Sequence, residues 1–372
     1  MEKQASKRSM TKRGDNEALL AVFLICIIVF ALILTIVLLV RTFSVEVDIT
    51  EETTDQETTT DTESDVPEPS YPVFSGGVLP AKPQNSTNTQ TITQELASDY
   101  AVLVKIDTGE IVASLQSDVK FSPASMTKVM TLIVACEKLT EAELDQKLTM
   151  TSEWYDYSRD GAYHDSTLHG IDVNDEYKIR DLLYGIGMRS ASDCVVPIIF
   201  YLAGSEEAFV ALMNQKVAEL GLQNTRFDNA IGHDSANNYT TAEDMAVIMA
   251  YAMQSDLIRD ILGKTSYKSE AAGYNSQGLY VPSFNFSFYS SLFGDHDASR
   301  MTAYKDQYGV PFVLSTAKLL AGKTGWTPDN YCLVSYATSN TDQSEYVLVL
   351  GKADKKYETM KDVKDIFDAY IK

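Results

Sequence analysis

Ser125 and Lys128 stand three residues apart in Ser125-Met126-Thr127-Lys128. On a helix that spacing puts a hydroxyl and an amine on one face, close enough for the amine to take the hydroxyl proton. The amine must be neutral to do so, and burial favours the neutral form. Taken alone the spacing decides nothing. The same tetrapeptide recurs as Ser9-Met10-Thr11-Lys12, and Ser117/Lys120 and Ser315/Lys318 repeat the spacing. Two further stretches add to it. Ser190-Ala191-Ser192-Asp193 offers hydroxyls on a turn. Lys323-Thr324-Gly325-Trp326 offers a cation, a hydroxyl and a glycine that, on an edge strand, could grip a carboxylate while the backbone approaches a ligand.

The flanking sequence supplies elements to position these groups. Pro123 suits a first helical turn, and the apolar run 129–134 behind Lys128 predicts a buried helix. Upstream, 100–106 and 111–115 read as two strands around a tight turn at Asp107-Thr108-Gly109-Glu110. Ile179, Leu182, Leu183 and Ile186 share a helical face just before Ser190. Phe209, Met213, Val217 and Leu220 share another, stopped by Gly221. A third helix is expected over 241–253, capped by Thr240 or Thr241. Strands return at 331–337 and 346–350. Tyr357, Met360, Val363, Phe367 and Tyr370 then give the period of a closing helix. The pattern implies an α/β (α+β) fold: one sheet built from both ends of the domain, flanked by helices, with an inserted helical lobe.

The chain has 372 residues and a net charge of −21, which argues against nucleic acid as a partner. Residues 1–17 form a basic tail, and 18–40 run apolar without a charge. At ~1.5 Å per residue that run spans roughly 35 Å, enough for a bilayer core of ~30 Å. No small-x-small cleavage site follows, so a signal anchor is expected, with the N-terminus cytoplasmic and the remainder of the chain extracytoplasmic. Residues 41–96 are acidic, threonine-rich and then proline-rich, which reads as an extended tether, and the ordered domain is expected over 97–372. Cys136, Cys194 and Cys332 follow the span without disulfide-framework spacing, and Cys136 and Cys332 sit in apolar runs as core residues would. His164, His169, His233 and His296 lack metal-ligand spacing, so neither metal nor other cofactor is expected.

A Ser-x-x-Lys opening a helix, a Ser-x-polar turn and a Lys-Thr-Gly, in that order, are the signature set of penicillin-binding proteins and active-site serine β-lactamases. Over 97–350 the chain resembles the serine-type D-alanyl-D-alanine carboxypeptidases of low molecular mass. The resemblance rests on Pro-Ala-Ser-Met-Thr-Lys at 123–128, Leu182-Leu183-Tyr184-Gly185, Phe-Val-x-Leu-Met-Asn at 209–214 and Leu220-Gly221. Asn238-Tyr239-Thr240-Thr241-Ala242-Glu243-Asp244, Gly322-Lys323-Thr324-Gly325-Trp326-Thr327 and Tyr331-Cys332-Leu333-Val334 complete it. Two departures stand out. The family's second motif usually reads Ser-Gly-Asn, and Ser192 holds the asparagine position, which shortens the donor offered to a substrate amide. Ser235-Ala236-Asn237 fits that pattern literally but lacks the helix before it. Residues 265–314 are an atypical aromatic insertion, more in keeping with a packed subdomain than with a binding surface. No counterpart of the family's C-terminal β-rich domain and terminal anchor is expected; the N-terminal span would replace that anchor.

The resemblance implies a β-lactamase/DD-peptidase-like fold and a mechanism. Ser125 attacks the carbonyl between the last two D-alanines of a peptidoglycan stem peptide, and Lys128 takes its proton. Ser190 relays a proton to the leaving D-alanine, and the N–H groups of Ser125 and Trp326 form the oxyanion hole. Lys323 and Thr324 hold the terminal carboxylate, with Ser192 and Gly325 also lining the substrate site. β-Lactam antibiotics are then expected as covalent inhibitors. Carboxypeptidase and endopeptidase action stay open, since both cleave beside D-alanine with the same residues. Two alternatives remain: a serine β-lactamase, for which the Glu-x-x-Leu-Asn loop of class A enzymes is not found between Ser192 and Lys323, and a non-catalytic wall-binding homologue.

Overall fold

Strands from the two ends of the domain pair with each other along a single sheet. The structure is a computed structural model that describes residues 72–164, 166–264, 266–269, 280–282, 314–354 and 358–372. The expected basic tail, the membrane span, the tether as far as 71 and most of the aromatic insertion lie outside these residues. Strands β1 (Gln84–Thr91), β2 (Ser98–Lys105) and β3 (Glu110–Leu115) come from the start; β4 (Ala317–Thr327), β5 (Asn330–Ser339) and β6 (Glu345–Ala353) come from the end. Their order is β1-β3-β2-β6-β5-β4, so β6 pairs with β2 and joins the two halves. All neighbours are antiparallel except β1 and β3.

The central strands are apolar on both faces because both faces are covered. Val102, Val104, Val334, Val347 and Val349 point to one side, into a core shared with helices α1 (Thr127–Lys138), α2 (Ile179–Tyr184), α3 (Ser192–Ala203), α4 (Glu206–Glu219), α5 (Ala242–Ala252) and α6 (Asp256–Gly263). Ala101, Leu103, Leu333, Leu348 and Leu350 point to the other, against Met360, Val363, Ile366 and Phe367 of the closing helix α7 (Glu358–Tyr370). Each of these side chains larger than alanine contributes about 1.5–3 kcal/mol by leaving water. Helix α1 is the central one: every residue from Thr127 to Cys136 is buried. Thr241 caps α5 by accepting the Asp244 N–H at 3.1 Å, and Gly221 turns the chain after α4 at φ +69°.

The stretch read as tether up to 96 is shorter than expected. β1 lies inside it, and nearly all its side chains, Gln84 to Thr91, are exposed. It is held by backbone pairing to β3, with Thr89 Oγ1 donating to the Ile111 carbonyl at 2.6 Å. Apolar periodicity cannot reveal a strand that buries so little of itself. Further upstream, the N–H groups of Val73 and Phe74 donate to the Leu139 and Cys136 carbonyls at 2.7 and 3.0 Å, and the Phe74 ring packs on Tyr251 at 5.3 Å. The Gln254 amide then grips Val78 through both its N–H and its carbonyl, each at 2.8 Å.

Candidate active site

Ser125 stands at the entrance to α1 on a short 3-10 turn, Ala124–Met126, that follows Pro123. Ala124 has φ +46°, unusual for a residue with a side chain, and so marks a strained turn beside Ser125. One turn on, Lys128 points inward and is only 1 % exposed. Its Nζ lies 3.2 Å from Ser125 Oγ and donates to the Ile231 carbonyl at 2.7 Å. Burial, and then the charge of Lys323, hold the Lys128 amine well below its usual value. A neutral amine within reach of a half-buried hydroxyl is what proton abstraction needs.

Ser190 reaches the same place from a different element. Helix α2 loosens into a π-helical turn, Gly185–Arg189, and the chain leaves it through Ser190 at φ +60°. Lys323, fully buried on edge strand β4, donates to Ser190 Oγ at 3.0 Å and to the Thr324 carbonyl at 2.8 Å. Burial lowers the Lys323 amine to about 7. The two neighbouring buried amines are both depressed, Lys323 by burial and Lys128 by burial and by the charge of Lys323.

Gly325 lets β4 lie against the nucleophile turn. A Cβ there would meet Cys332 Sγ at 2.4 Å and the Pro123 carbonyl at 2.9 Å. Asn330 Nδ2 and Cys332 Sγ donate to the Ser122 and Pro123 carbonyls at 2.8 and 3.2 Å, fixing the strand pair to that turn. Thr324 is half-buried, and the Trp326 side chain is exposed. Ser192, expected to face the substrate, is completely buried as the first residue of α3. Its N–H donates to the Thr167 carbonyl at 2.8 Å, and its hydroxyl finds no hydrogen-bond partner among the described residues. The three remaining cysteines, Cys136, Cys194 and Cys332, are free and buried. Among the described residues no group of three or more His, Cys, Asp or Glu side chains is arranged to hold a metal ion.

Several residues at the site were not singled out by sequence. Asp193 accepts the N–H groups of His169, Gly170 and Ile171 at 2.8, 2.9 and 3.2 Å, which ties that loop to the Ser190 turn. Asn229, Ile231 and Gly232 form a loop against Ser125 and Lys128. Its signal was an Asn three residues before a Gly in a non-periodic stretch, where turn chemistry is read in place of burial. In the aromatic insertion, Tyr267 stacks on Tyr184 at 3.7 Å and donates to Asp181 at 2.5 Å.

The depressed lysines make stability depend on pH. Lys323 has a folded value of about 7 against an ordinary lysine value of 10.5, so between those pH values the unfolded chain binds the extra proton. Stability from this residue therefore rises with pH across that window, and the cost is complete and constant below it. Lys128 acts in the same sense. Relative to wild type, denaturant unfolding of Lys323→Met is expected to lose about one proton's worth of slope, about 1.4 kcal/mol per pH unit, between about pH 7.5 and pH 9.5, with higher stability at the lower end. Equal slopes would mean that Lys323 is not depressed.

The family model of D-alanyl-D-alanine carboxypeptidase, Peptidase_S11, matches residues 85–353. The chain is 31 % identical over 185 residues to the D-alanyl-D-alanine carboxypeptidase DacF of Bacillus subtilis, an alignment covering 48 % of this chain and 44 % of that one. Against a D-alanyl-D-alanine carboxypeptidase of a Streptomyces species it is 29 % identical over 273 residues, 72 % of this chain and 84 % of the relative. With DacA of Escherichia coli, as with DacF, it spans less than half the relative's length, 44 %. Among solved structures, penicillin binding protein 5 of Haemophilus influenzae superposes with a TM-score of 0.59 at 22 % identity, over 74 % of this chain and 71 % of that one. The D-alanyl-D-alanine carboxypeptidase of Mycobacterium tuberculosis superposes with 0.58 at 19 % identity, over 78 % and 95 %. These superpositions establish a shared fold.

Proposed function

Since the chain belongs to the D-alanyl-D-alanine carboxypeptidase family of serine peptidases, we propose that it removes the terminal D-alanine from peptidoglycan stem peptides while anchored in the cell membrane by residues 18–40. The observation that carries this reading is the buried Lys128 amine 3.2 Å from Ser125 Oγ, with Lys323 and Ser190 joined beside it.

In this reading Ser125 Oγ attacks the carbonyl of the penultimate D-alanine and its proton passes to Lys128 Nζ. The electron pair of the carbonyl moves onto its oxygen, where the N–H groups of Ser125 and Trp326 receive it. Collapse of that intermediate expels the terminal D-alanine, whose amine takes a proton through Ser190. Lys323 and Thr324 hold the substrate carboxylate, and Lys323 also keeps Lys128 neutral through its charge. Water then releases the acyl group from Ser125. A β-lactam, which presents a similar carboxylate and acyl bond, would form a longer-lived ester at the same hydroxyl. The hydroxyl of Ser192 contributes to substrate binding in this reading only if α3 opens, because it is buried.

The test uses the full-length chain and Ser125→Ala. A fluorescent penicillin is expected to label the first covalently and the second not at all, and the first alone should release D-alanine from an N-acylated tripeptide ending in D-Ala-D-Ala. Labelling that survives in Ser125→Ala would assign the nucleophile elsewhere. No label on the folded wild type would turn the reading towards wall binding without catalysis.

A further inference from the structure

The loop at 229–233 is built around one side chain. Asn229 is 7 % exposed, and its Oδ1 accepts the N–H groups of Ile231, Gly232 and His233 at 3.3, 2.7 and 2.9 Å. Its Nδ2 donates to the His233 carbonyl at 3.0 Å and to Asp228 Oδ1 at 2.8 Å. With three amides turned in towards Asn229, the loop's carbonyls are left for other partners. Thr131 Oγ1 donates to the Ala230 carbonyl at 2.7 Å, and Lys128 Nζ donates to that of Ile231. Glu206 Oε1 accepts the Ala230 N–H at 2.9 Å and braces the loop from α4. The loop is also flush with the nucleophile turn, since a Cβ on Gly232, at φ +82°, would lie 1.8 Å from the Ala124 carbonyl oxygen.

Resting on the reading of Lys128 as the general base, we infer that Asn229 is a positioning residue for it: by fixing the Ile231 carbonyl on Nζ, it keeps the amine lone pair from turning to the loop and steadies the ammonium that forms as Ser125 is deprotonated. A neutral amine has two N–H bonds and one lone pair. Left free, it can offer a hydrogen to Ser125 Oγ as readily as it can accept one, and only acceptance deprotonates the nucleophile. Committing one N–H to Ile231 excludes the arrangement in which the lone pair faces the loop, and leaves it to Ser125 or to the one remaining direction. The same carbonyl then receives the ammonium that forms as the proton crosses from Oγ to Nζ, and a hydrogen bond to the charged form is the stronger one. Ile231 therefore favours proton acceptance in opposition to burial.

This role leaves a mark in the pH profile. The second-order rate of acylation reports groups on the free enzyme, and its acidic limb follows Lys128. The titratable and charged groups around the pair are Lys323 and Cys332 on the strand side, with Glu206, Asp228 and His233 at the loop. Losing the Ile231 carbonyl leaves the ammonium less favoured, so the acidic limb moves to lower pH while the plateau falls. The alkaline limb, set by loss of the Lys323 charge, stays where it is and serves as the internal reference.

The experiment measures acylation of the full-length chain by a fluorescent penicillin from about pH 5 to pH 10, for wild type, Asn229→Ala and Asn229→Ser. Asn229→Ala is expected to lower the plateau about 10- to 100-fold and to move the acidic limb down by about one pH unit. A serine hydroxyl can accept loop amides at shorter reach, so Asn229→Ser should fall between the two. A lower plateau with an unmoved acidic limb would mean that Asn229 only holds the fold, and would overturn the inference, as would no change at all. If Asn229→Ala does not fold, the serine variant decides by the same two readings. Failure of wild type itself to acylate would instead remove the general-base reading on which this rests.

Discussion

Lys128→Met is expected to lower the rate of acylation by a β-lactam about 10³-fold or more while leaving the melting temperature unchanged or higher. The loss follows from the geometry: no other described side chain is bonded to Ser125 Oγ, and general-base assistance is worth about 10²–10⁴. The gain follows from burial. The amine is 1 % exposed and is held neutral at a pH where the unfolded chain would carry the proton, which costs stability. Methionine matches its length and needs no proton, and replacing buried ionisable groups with apolar ones of similar volume is often neutral or stabilising by about 1–4 kcal/mol. The Ile231 carbonyl loses a donor, which offsets part of this. Stopped-flow acylation and calorimetry on the same preparation measure both. Acylation within tenfold of wild type would place the base elsewhere.

The second large effect comes from a position without a side chain. In Gly232→Ala the new Cβ would stand 1.8 Å from the Ala124 oxygen, 2.3 Å from its carbonyl carbon and 2.9 Å from the Ser125 nitrogen. These are backbone atoms of the nucleophile turn, so no rotamer change relieves the contact. Either the loop retreats and takes Ile231 from Lys128, or Ser125 moves. A displacement of about 1 Å at such a site costs about 10² in rate, and the left-handed backbone adds about 1–2 kcal/mol of strain. The control is Gly204→Ala. Gly204 has φ +76° and no atom within 4 Å of its Cβ position, so it meets the strain without the contact. The control should lose some thermal stability and keep its acylation rate, whereas Gly232→Ala should lose both. Equal acylation in the two variants would show that the nucleophile turn tolerates the loop's displacement.

How far these features could be read from sequence depended on whether they were built from side chains or from backbone. Ser125, Lys128, Ser190 and Lys323 were legible because their chemistry is in their residue types, and the structure brings all four together. The sheet was legible because β2 and β6 are apolar on both faces, which makes long runs. Strand β4 showed itself only as a motif. Along its eleven residues Lys318 and Trp326 are exposed and Leu320 and Thr324 half-buried, so no continuous run marks it. The left-handed turn at Ser190 uses a serine where glycine would have signalled it, and the turn is set by the π-helical distortion before it. Asn229 and Gly232 act through amides and carbonyls, which every residue has. Ser192 was read as a substrate contact by its place in the motif, but the register of α3 buries it.

The anchorage of Val73 and Phe74 has a mechanical side. Their N–H groups end on the carbonyls of Leu139 and Cys136, the last turn of α1 and its cap, while Ser125 stands just before the first turn of that helix. Tension applied to the chain ahead of Pro72 is therefore delivered first to the C-terminal end of the helix that carries Lys128. Two hydrogen bonds and the Phe74 ring resist it there before the Gln254 grip on Val78 comes under strain. A pull on the residues ahead of Pro72 would thus act as a force along α1, and the same helix would transmit that force to the turn that carries Ser125.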